Sequence, residues 1–224
     1  MKKTFLNLPV MITAVFSLAA TAALVFVVFK PQPEGPTLML DDPLDVPAFE
    51  VTSQAGEVIT KENMLGKVWV CDFFLTRCNG ICPVLGRTMA DLADELSKTS
   101  SFDDVVLVSF SVDPEHDTVE QLNRYRKINM GAWARDNTAL ESELDRRWLH
   151  VRADKQEPFW DVVRDGFKLY VGPSEGDPTT PIAHSGRLVL IDRKGQIRGY
   201  YDGLTDVEIP ALLADIARLV EESD

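Results

Sequence analysis

Two cysteines, Cys78 and Cys82, stand with three residues between them in the stretch Thr76-Arg77-Cys78-Asn79-Gly80-Ile81-Cys82-Pro83. The apolar run before them, residues 68–75, reads as a buried strand. The stretch after them, residues 83–98, reads as a helix, with Leu85, Met89, Leu92 and Leu96 on one face. Pro83 suits a first helical turn, where a missing N–H costs little. The sulfurs therefore sit where a strand ends and a helix begins. Free N–H groups and the helix dipole favour negative charge there, and Arg77 is expected to assist. The thiolate is the form that attacks disulfides and binds metals. The pair can share a disulfide or a metal ion. A merely structural staple is the competing reading, but a loop this small gains little from cross-linking.

Three histidines are available to such a pair. His150 lies among Trp148 and Val151, where a packing or surface role is expected. His116 lies in the loop that starts at Asp113, where solvation or capping is expected. His184 lies in Pro181-Ile182-Ala183-His184-Ser185-Gly186, just before a terminal hairpin. If that loop faces the cysteine turn, Cys78, Cys82 and His184 supply two soft thiolates and one imidazole. That set suits Cu(I), with Cu(II) and Zn(II) also open, although zinc usually takes a fourth ligand. The loop could instead only shape the surroundings of a disulfide. The third cysteine, Cys71, falls inside the apolar strand and reads as a core thiol.

The elements that must position these groups follow from the pattern of the chain. Its 224 residues carry a formal charge of −12, which argues against nucleic acid as a partner. Lys2 and Lys3 precede an uncharged, largely apolar run from Leu8 to Phe29, about the length of a membrane-spanning helix. A cleaved signal peptide is one reading. The run outlasts a typical signal core, so residues 1–30 are read as an uncleaved anchor, with the remainder outside the cytoplasm. Residues 31–44 read as a Pro-rich tether and 45–224 as the globular domain.

Within that domain a leading hairpin is expected over residues 49–60, and buried strands over 68–75 and 105–110. A helix capped by Asp117 or Thr118 follows, then a short strand at 148–151, a helix at 158–163 and an edge strand at 167–171. A hairpin turning at residues 192–195 and a helix over 206–221 close the chain. Alternating strands and helices argue an α/β sheet layered between helices, with a reactive site at strand C-terminal ends.

With these residues in place, the chain resembles the Sco/SenC family of thioredoxin-like copper proteins. Phe74 to Pro83 matches the family's T-x-C-x-x-x-C-P motif, and Ser111-Val112-Asp113-Pro114-Glu115-His116-Asp117-Thr118 matches its V-D-P-x-x-D-T segment. Ala183-His184-Ser185 and the hairpin around Gly195 match its distal histidine region. The similarity spans about residues 45–221. It implies a thioredoxin-like fold, a mixed sheet flanked by helices, tethered by one N-terminal transmembrane helix. It implies copper held by Cys78, Cys82 and His184, and delivery of copper or of reducing equivalents to the dinuclear copper site of cytochrome c oxidase. The copper-bearing oxidase subunit or another copper carrier would be the partner. Asp113 matches an acidic position that supports the site or meets a partner; a loop cap is the alternative. The segment from about Trp133 to Pro181 departs from the family pattern and leaves partner choice open. The start of the chain favours a bacterial periplasm over a mitochondrion. The rival activity is a thiol–disulfide oxidoreductase in which Cys78 attacks and Cys82 resolves.

Overall fold

The computed structural model describes residues 39–131, 142, 144, 147–175 and 181–222. The expected anchor, and the expected tether up to residue 38, lie outside the described residues. Among the described residues no helix is long and apolar enough to cross a membrane.

The strands are β1 (Met39–Asp45), β2 (Glu50–Ser53), β3 (Val58–Thr60), β4 (Val68–Phe74), β5 (Val105–Ser111), β6 (Trp148–Arg152), β7 (Val171–Pro173), β8 (Ile182–His184), β9 (Arg187–Ile191) and β10 (Gln196–Asp202). The principal helices are α1 (Lys61–Met64), α2 (Cys82–Ser97), α3 (Val119–Gly131), α4 (Gln156–Asp161) and α5 (Ile209–Glu221). Eight strands form one mixed sheet in the order β1-β10-β9-β4-β5-β6-β2-β3, and β7 and β8 form a separate pair.

Strands β4 and β5 run parallel at the centre, Val68 opposite Val105 through Phe74 opposite Ser111. Both are buried along their whole length, which explains their continuous apolar sequences. Alternate residues serve the two faces. Trp69, Cys71, Phe73, Val106, Val108 and Phe110 enter one core with Phe159, Trp160 and Phe167. Val68, Val70, Val105 and Leu107 enter the other with Leu85, Met89, Leu92, Leu212 and Ile216 from helices α2 and α5. Cys71 is thus a fully buried thiol on the aromatic side, as its sequence context suggests.

Three expectations are corrected. Residues 39–44, read as tether, belong to β1, which pairs antiparallel with β10 through Leu44 opposite Ile197. Pro43 is compatible with this because β1 is an edge strand. The expected strand over 167–171 is displaced to Val171–Pro173. A wide helical turn, Val162–Gly166, precedes it, and Lys168 takes a positive φ of 56°, which breaks an extended run. The closing helix starts at Ile209 rather than Asp206, with Pro210 in its first turn. The terminal hairpin forms as expected. Asp192 Oδ1 accepts the N–H groups of Lys194 (3.0 Å) and Gln196 (2.9 Å), and Gly195 takes a φ of +74°.

Candidate metal centre

The cysteine loop hangs between the C-terminal end of β4 and the first residue of α2, which is Cys82 itself. Both sulfurs are free thiols and both residues are buried. Cys78 Sγ accepts the backbone N–H of Gly80 at 3.3 Å, so the loop already directs a donor at that sulfur. The Tyr125 hydroxyl on α3 donates to the Cys82 carbonyl at 3.3 Å.

His184 ends β8 and is only 8% exposed. Its Nε2 lies 3.1 Å from Cys82 Sγ. Its Nδ1 lies 3.1 Å from the Ser185 carbonyl oxygen, which can only accept, so Nδ1 carries the proton. The neutral imidazole then turns its lone pair on Nε2 toward the sulfurs, the tautomer a metal-binding histidine needs. One ligand atom each from Cys78, Cys82 and His184 lies within 4.8 Å of the others.

Two glycines bring this loop in. Gly203 N–H donates to Gly186 C=O at 3.0 Å, and Thr88 Oγ1 on α2 donates to Gly203 C=O at 2.9 Å. A Cβ at Gly203 would fall 2.6 Å from Leu85 Cδ2 and 2.9 Å from the Gly186 carbonyl oxygen. The histidine loop therefore docks on the same helix that Cys82 begins, and only glycine fits the contact.

The two thiols are electrically unequal. The Cys78 thiol is lowered to about 4, first by hydrogen bonding with the Cys82 thiol and with help from the Gly80 N–H. The Cys82 thiol is pushed far up, because a thiolate at Cys78 takes its proton as a hydrogen bond and burial adds to the cost. The Cys71 thiol is raised by burial, which keeps it inert. The help expected from Arg77 is diverted elsewhere. Arg77 Nε is bound instead to Asp113 Oδ2 at 2.7 Å, and its charge is neutralised there.

Asp113 is buried, so its carboxylate reaches the cysteine loop through Arg77 and has no surface of its own to offer. Asp117 is more central than its sequence context suggested. Fully buried, it accepts Thr76 N–H (3.1 Å), Thr76 Oγ1 (2.5 Å) and Ser111 Oγ (2.6 Å), tying the start of the cysteine loop to β5. The helix cap is Thr118, which exchanges reciprocal bonds with Gln121 (2.7 and 3.3 Å). Asp113, His116 and Asp117 also cluster closely enough to suggest a second metal site. Their acceptors already face Arg77, Thr76 and Ser111, which leaves a poor fit for a cation.

Asp72 lies on β4 ahead of the loop, and no motif in the sequence marks it. It is buried with Oδ1 unpartnered, and burial raises its carboxyl to about 6. His150 is fully buried against Phe74, Tyr125 and Trp148, far from a ligand role; burial lowers its imidazole to about 3.

A cavity of about 210 Å³ opens beside the sulfurs, lined by Cys78, Gly80, Ile81, Ile182, Ala183 and His184. That is small for an organic cofactor and ample for an ion or an incoming side chain. A larger cleft of about 310 Å³ around Phe49, Pro158 and Phe159 contains neither cysteine nor histidine.

The SCO1/SenC family model matches residues 40–134, which contain both cysteines and the Asp113–Thr118 loop. The "SCO1 protein homolog" of Bacillus subtilis is 27% identical over 179 residues, covering 79% of this chain and 84% of the relative. A "putative copper-binding protein" of Stutzerimonas stutzeri is 26% identical, covering 79% and 80%. The solved structure of a SCO1/SenC family lipoprotein from Bacillus anthracis superposes with a TM-score of 0.69 at 28% identity, over 81% of this chain and 99% of that one. BsSco, described as a disulfide-switching member of the Sco family of cytochrome c oxidase assembly proteins, superposes with a TM-score of 0.66 at 24% identity, over 84% and 100%. The fold is the thioredoxin-like Sco fold, a mixed sheet with flanking helices. By matched motif region, by relatives along most of its length and by fold, the chain is similar to members of the SCO1/SenC family.

Proposed function

We propose that this chain is a membrane-tethered copper carrier that serves assembly of the dinuclear copper site of a cytochrome c oxidase. The observation that carries this reading is the convergence of Cys78, Cys82 and His184, with the imidazole lone pair aimed at the sulfurs. Two thiolates and one imidazole form a soft, low-coordinate set that favours Cu(I). The copper-binding relative and the oxidase-assembly neighbour support the same cargo and destination.

Copper is cargo here, and the chain's own residues supply a shallow cradle. Cys78, the readily ionised sulfur, binds first. Cys82 gives up its proton as the metal replaces it, and His184 Nε2 closes the set. Release proceeds by ligand exchange with a partner's thiolates at the Cys78 side, where the cavity opens. Oxidation of the pair to a disulfide, with two electrons and two protons passing to an acceptor disulfide, removes both sulfur ligands. Redox state thereby gates loading. The apolar run before residue 30 would hold the domain at the outer face of the cytoplasmic membrane.

Anaerobic Cu(I) titration of the reduced full chain tests the reading. One tightly held equivalent in the parent, sharply weakened in His184→Ala, is expected; equal affinity in the two refutes the three-ligand site. The acidity difference between Cys78 and Cys82 favours one second reading, a thiol–disulfide oxidoreductase with Cys78 attacking. Copper-free turnover on a disulfide substrate, unaffected by His184→Ala, would favour that activity.

A further inference from the structure

The cysteine loop holds one residue pair whose chemistry neither copper binding nor disulfide exchange uses. Asn79-Gly80 is the only place in the 224 residues where glycine follows asparagine; the other five asparagines precede Leu8, Met64, Arg124, Met130 and Thr138. Glycine has no side chain to shield its amide nitrogen or restrict the backbone, so that nitrogen is free to swing onto the asparagine side chain. Both residues are exposed and lie outside helix and strand. Asn63 and Asn123 make the contrast, since both are helical and both side chains are held. Asn63 Oδ1 accepts the Thr60 N–H at 2.9 Å, and Asn123 Nδ2 donates to the carbonyls of Gln54 at 2.8 Å and Val119 at 3.0 Å. Among the described residues no such bond holds the Asn79 side chain. The restraint falls on the other reactant: Gly80 N–H donates to Cys78 Sγ at 3.3 Å.

We infer that Asn79-Gly80 is a self-modification site that disables the ligand set, held in check by the Cys78 sulfur. The Gly80 amide nitrogen attacks Asn79 Cγ. A nitrogen–carbon bond forms, the amide proton passes to solvent, and the side-chain nitrogen leaves as ammonia. Water then adds to a carbonyl of the resulting cyclic imide, and the ring bond from that carbon to nitrogen breaks. Opening at one carbonyl gives aspartate. Opening at the other gives isoaspartate, in which the main chain runs through the former side chain. Isoaspartate lengthens the bridge between the cysteines by one carbon–carbon bond, about 1.5 Å. Metal–ligand distances tolerate only about 0.2 Å, and three residues must absorb the change. Either product also sets a carboxylate beside Cys78. The check is geometric: while the sulfur holds the Gly80 proton, the nitrogen that must lose it is kept from Asn79 Cγ. The modification itself stands apart from the carrier reading, and its consequence for loading rests on that reading.

The reduced full chain is incubated without oxygen in mildly alkaline buffer, beside a synthetic peptide of residues 74–85. Conversion at each asparagine is read by peptide mapping and enzymatic labelling of isoaspartate. Asn79 should convert, and Asn63 and Asn123 should stay intact, over the time in which the peptide converts. Cys78→Ala removes the acceptor and should speed conversion at Asn79 about fivefold. A variant that has merely unfolded is recognised because Asn63 and Asn123 then convert as well. For that case Asn79→Gln, whose longer side chain closes the ring reluctantly, gives a second handle. The copper capacity of the aged parent should fall in step with its isoaspartate fraction, while aged Asn79→Gln keeps its capacity. An Asn79 that survives while the peptide converts overturns the inference. So does a folded Cys78→Ala that converts no faster than the parent, or a converted parent that still takes up a full equivalent of Cu(I). If the fresh parent binds no copper, the carrier reading fails instead, and the conversion rates still decide whether this pair is a modification site under the control of Cys78.

Discussion

The loop after β4 and the loop after β5 leave the central sheet side by side, and each gathers one histidine and two acidic or thiol residues within ligand range. They differ in how their lone pairs are occupied. In the Asp113–Thr118 loop the carboxylates are engaged with an arginine, two hydroxyls and a backbone N–H. In the Thr76–Pro83 loop the sulfurs meet mainly each other, one N–H and the acceptor nitrogen of His184. The first loop is built to be rigid, and the second is built to be filled. The rigid loop holds the other in place, since Asp117 grips Thr76 and Asp113 grips Arg77 on the approach to Cys78. Proximity of ligand types is therefore a poor guide to a metal site until each donor's existing partner is known.

That contrast breaks first at the sulfurs. Cys78→Ser or Cys82→Ser should lower Cu(I) affinity on the order of 1,000-fold, beyond the 10–100-fold typical of losing an outer partner. Asp113→Asn should cost less than about tenfold in the same anaerobic competition assay; comparable losses in both loops would erase the distinction. The next largest effect is on folding. Asp117→Ala strands the Thr76 and Ser111 donors and should lower unfolding free energy by about 3 kcal/mol in urea titration. A loss near zero would show that the loop is not anchored this way.

Asp72 sharpens the comparison from the opposite side, because its buried carboxylate has an oxygen without a partner. Its folded-state value, about 6 against an ordinary 3.8, means that the native state holds the proton more readily than the unfolded chain. Stability associated with this group therefore falls as pH rises from about 4 through about 6 and stays low above that. The rise caps the penalty at about 3 kcal/mol. Asp72→Asn should stabilise by about 2 kcal/mol at pH 7, with the gain gone below pH 4. His150 acts in the other sense, its stabilising contribution present above its ordinary 6.5 and lost as pH falls toward about 3. Both proteins share that slope, so their difference isolates Asp72. A pH-independent difference would count against the assignment. The smallest effect is expected at the loop contact: Gly203→Ala should cost about 1–2 kcal/mol of stability and weaken copper binding by displacing His184. An unchanged copper affinity would show that the glycine contact does not set the histidine's position.

Much of the site was legible because its signals are local. A continuous apolar strand, two cysteines and a proline-led helix predict Cys82 at a helix start, and it is the first residue of α2. His184 before a hairpin was legible as a candidate, and the hairpin turn formed at Asp192–Gly195. What stayed hidden depends on contacts distant in sequence. β1 carries a proline and three acids that argue against a strand, and its partner β10 lies more than 150 residues later. Asp117 and Thr118 were both legible as caps of the next helix; Thr118 fills that position, and the Asp117 carboxylate goes to Thr76, a partner distant in sequence. Nothing local in the sequence marks Gly186 or Gly203; only the packed structure shows the close approach that requires them. Arg77 was expected to assist Cys78, and a long-range ion pair with Asp113 diverts it.

X-ray absorption at the copper edge of the reduced, Cu(I)-loaded full chain is the most direct measurement of the central claim. Two sulfur neighbours and one histidine nitrogen per copper are expected, with the nitrogen signal lost in His184→Ala. A site with sulfur alone in the parent, or a spectrum unchanged by that substitution, would contradict the account.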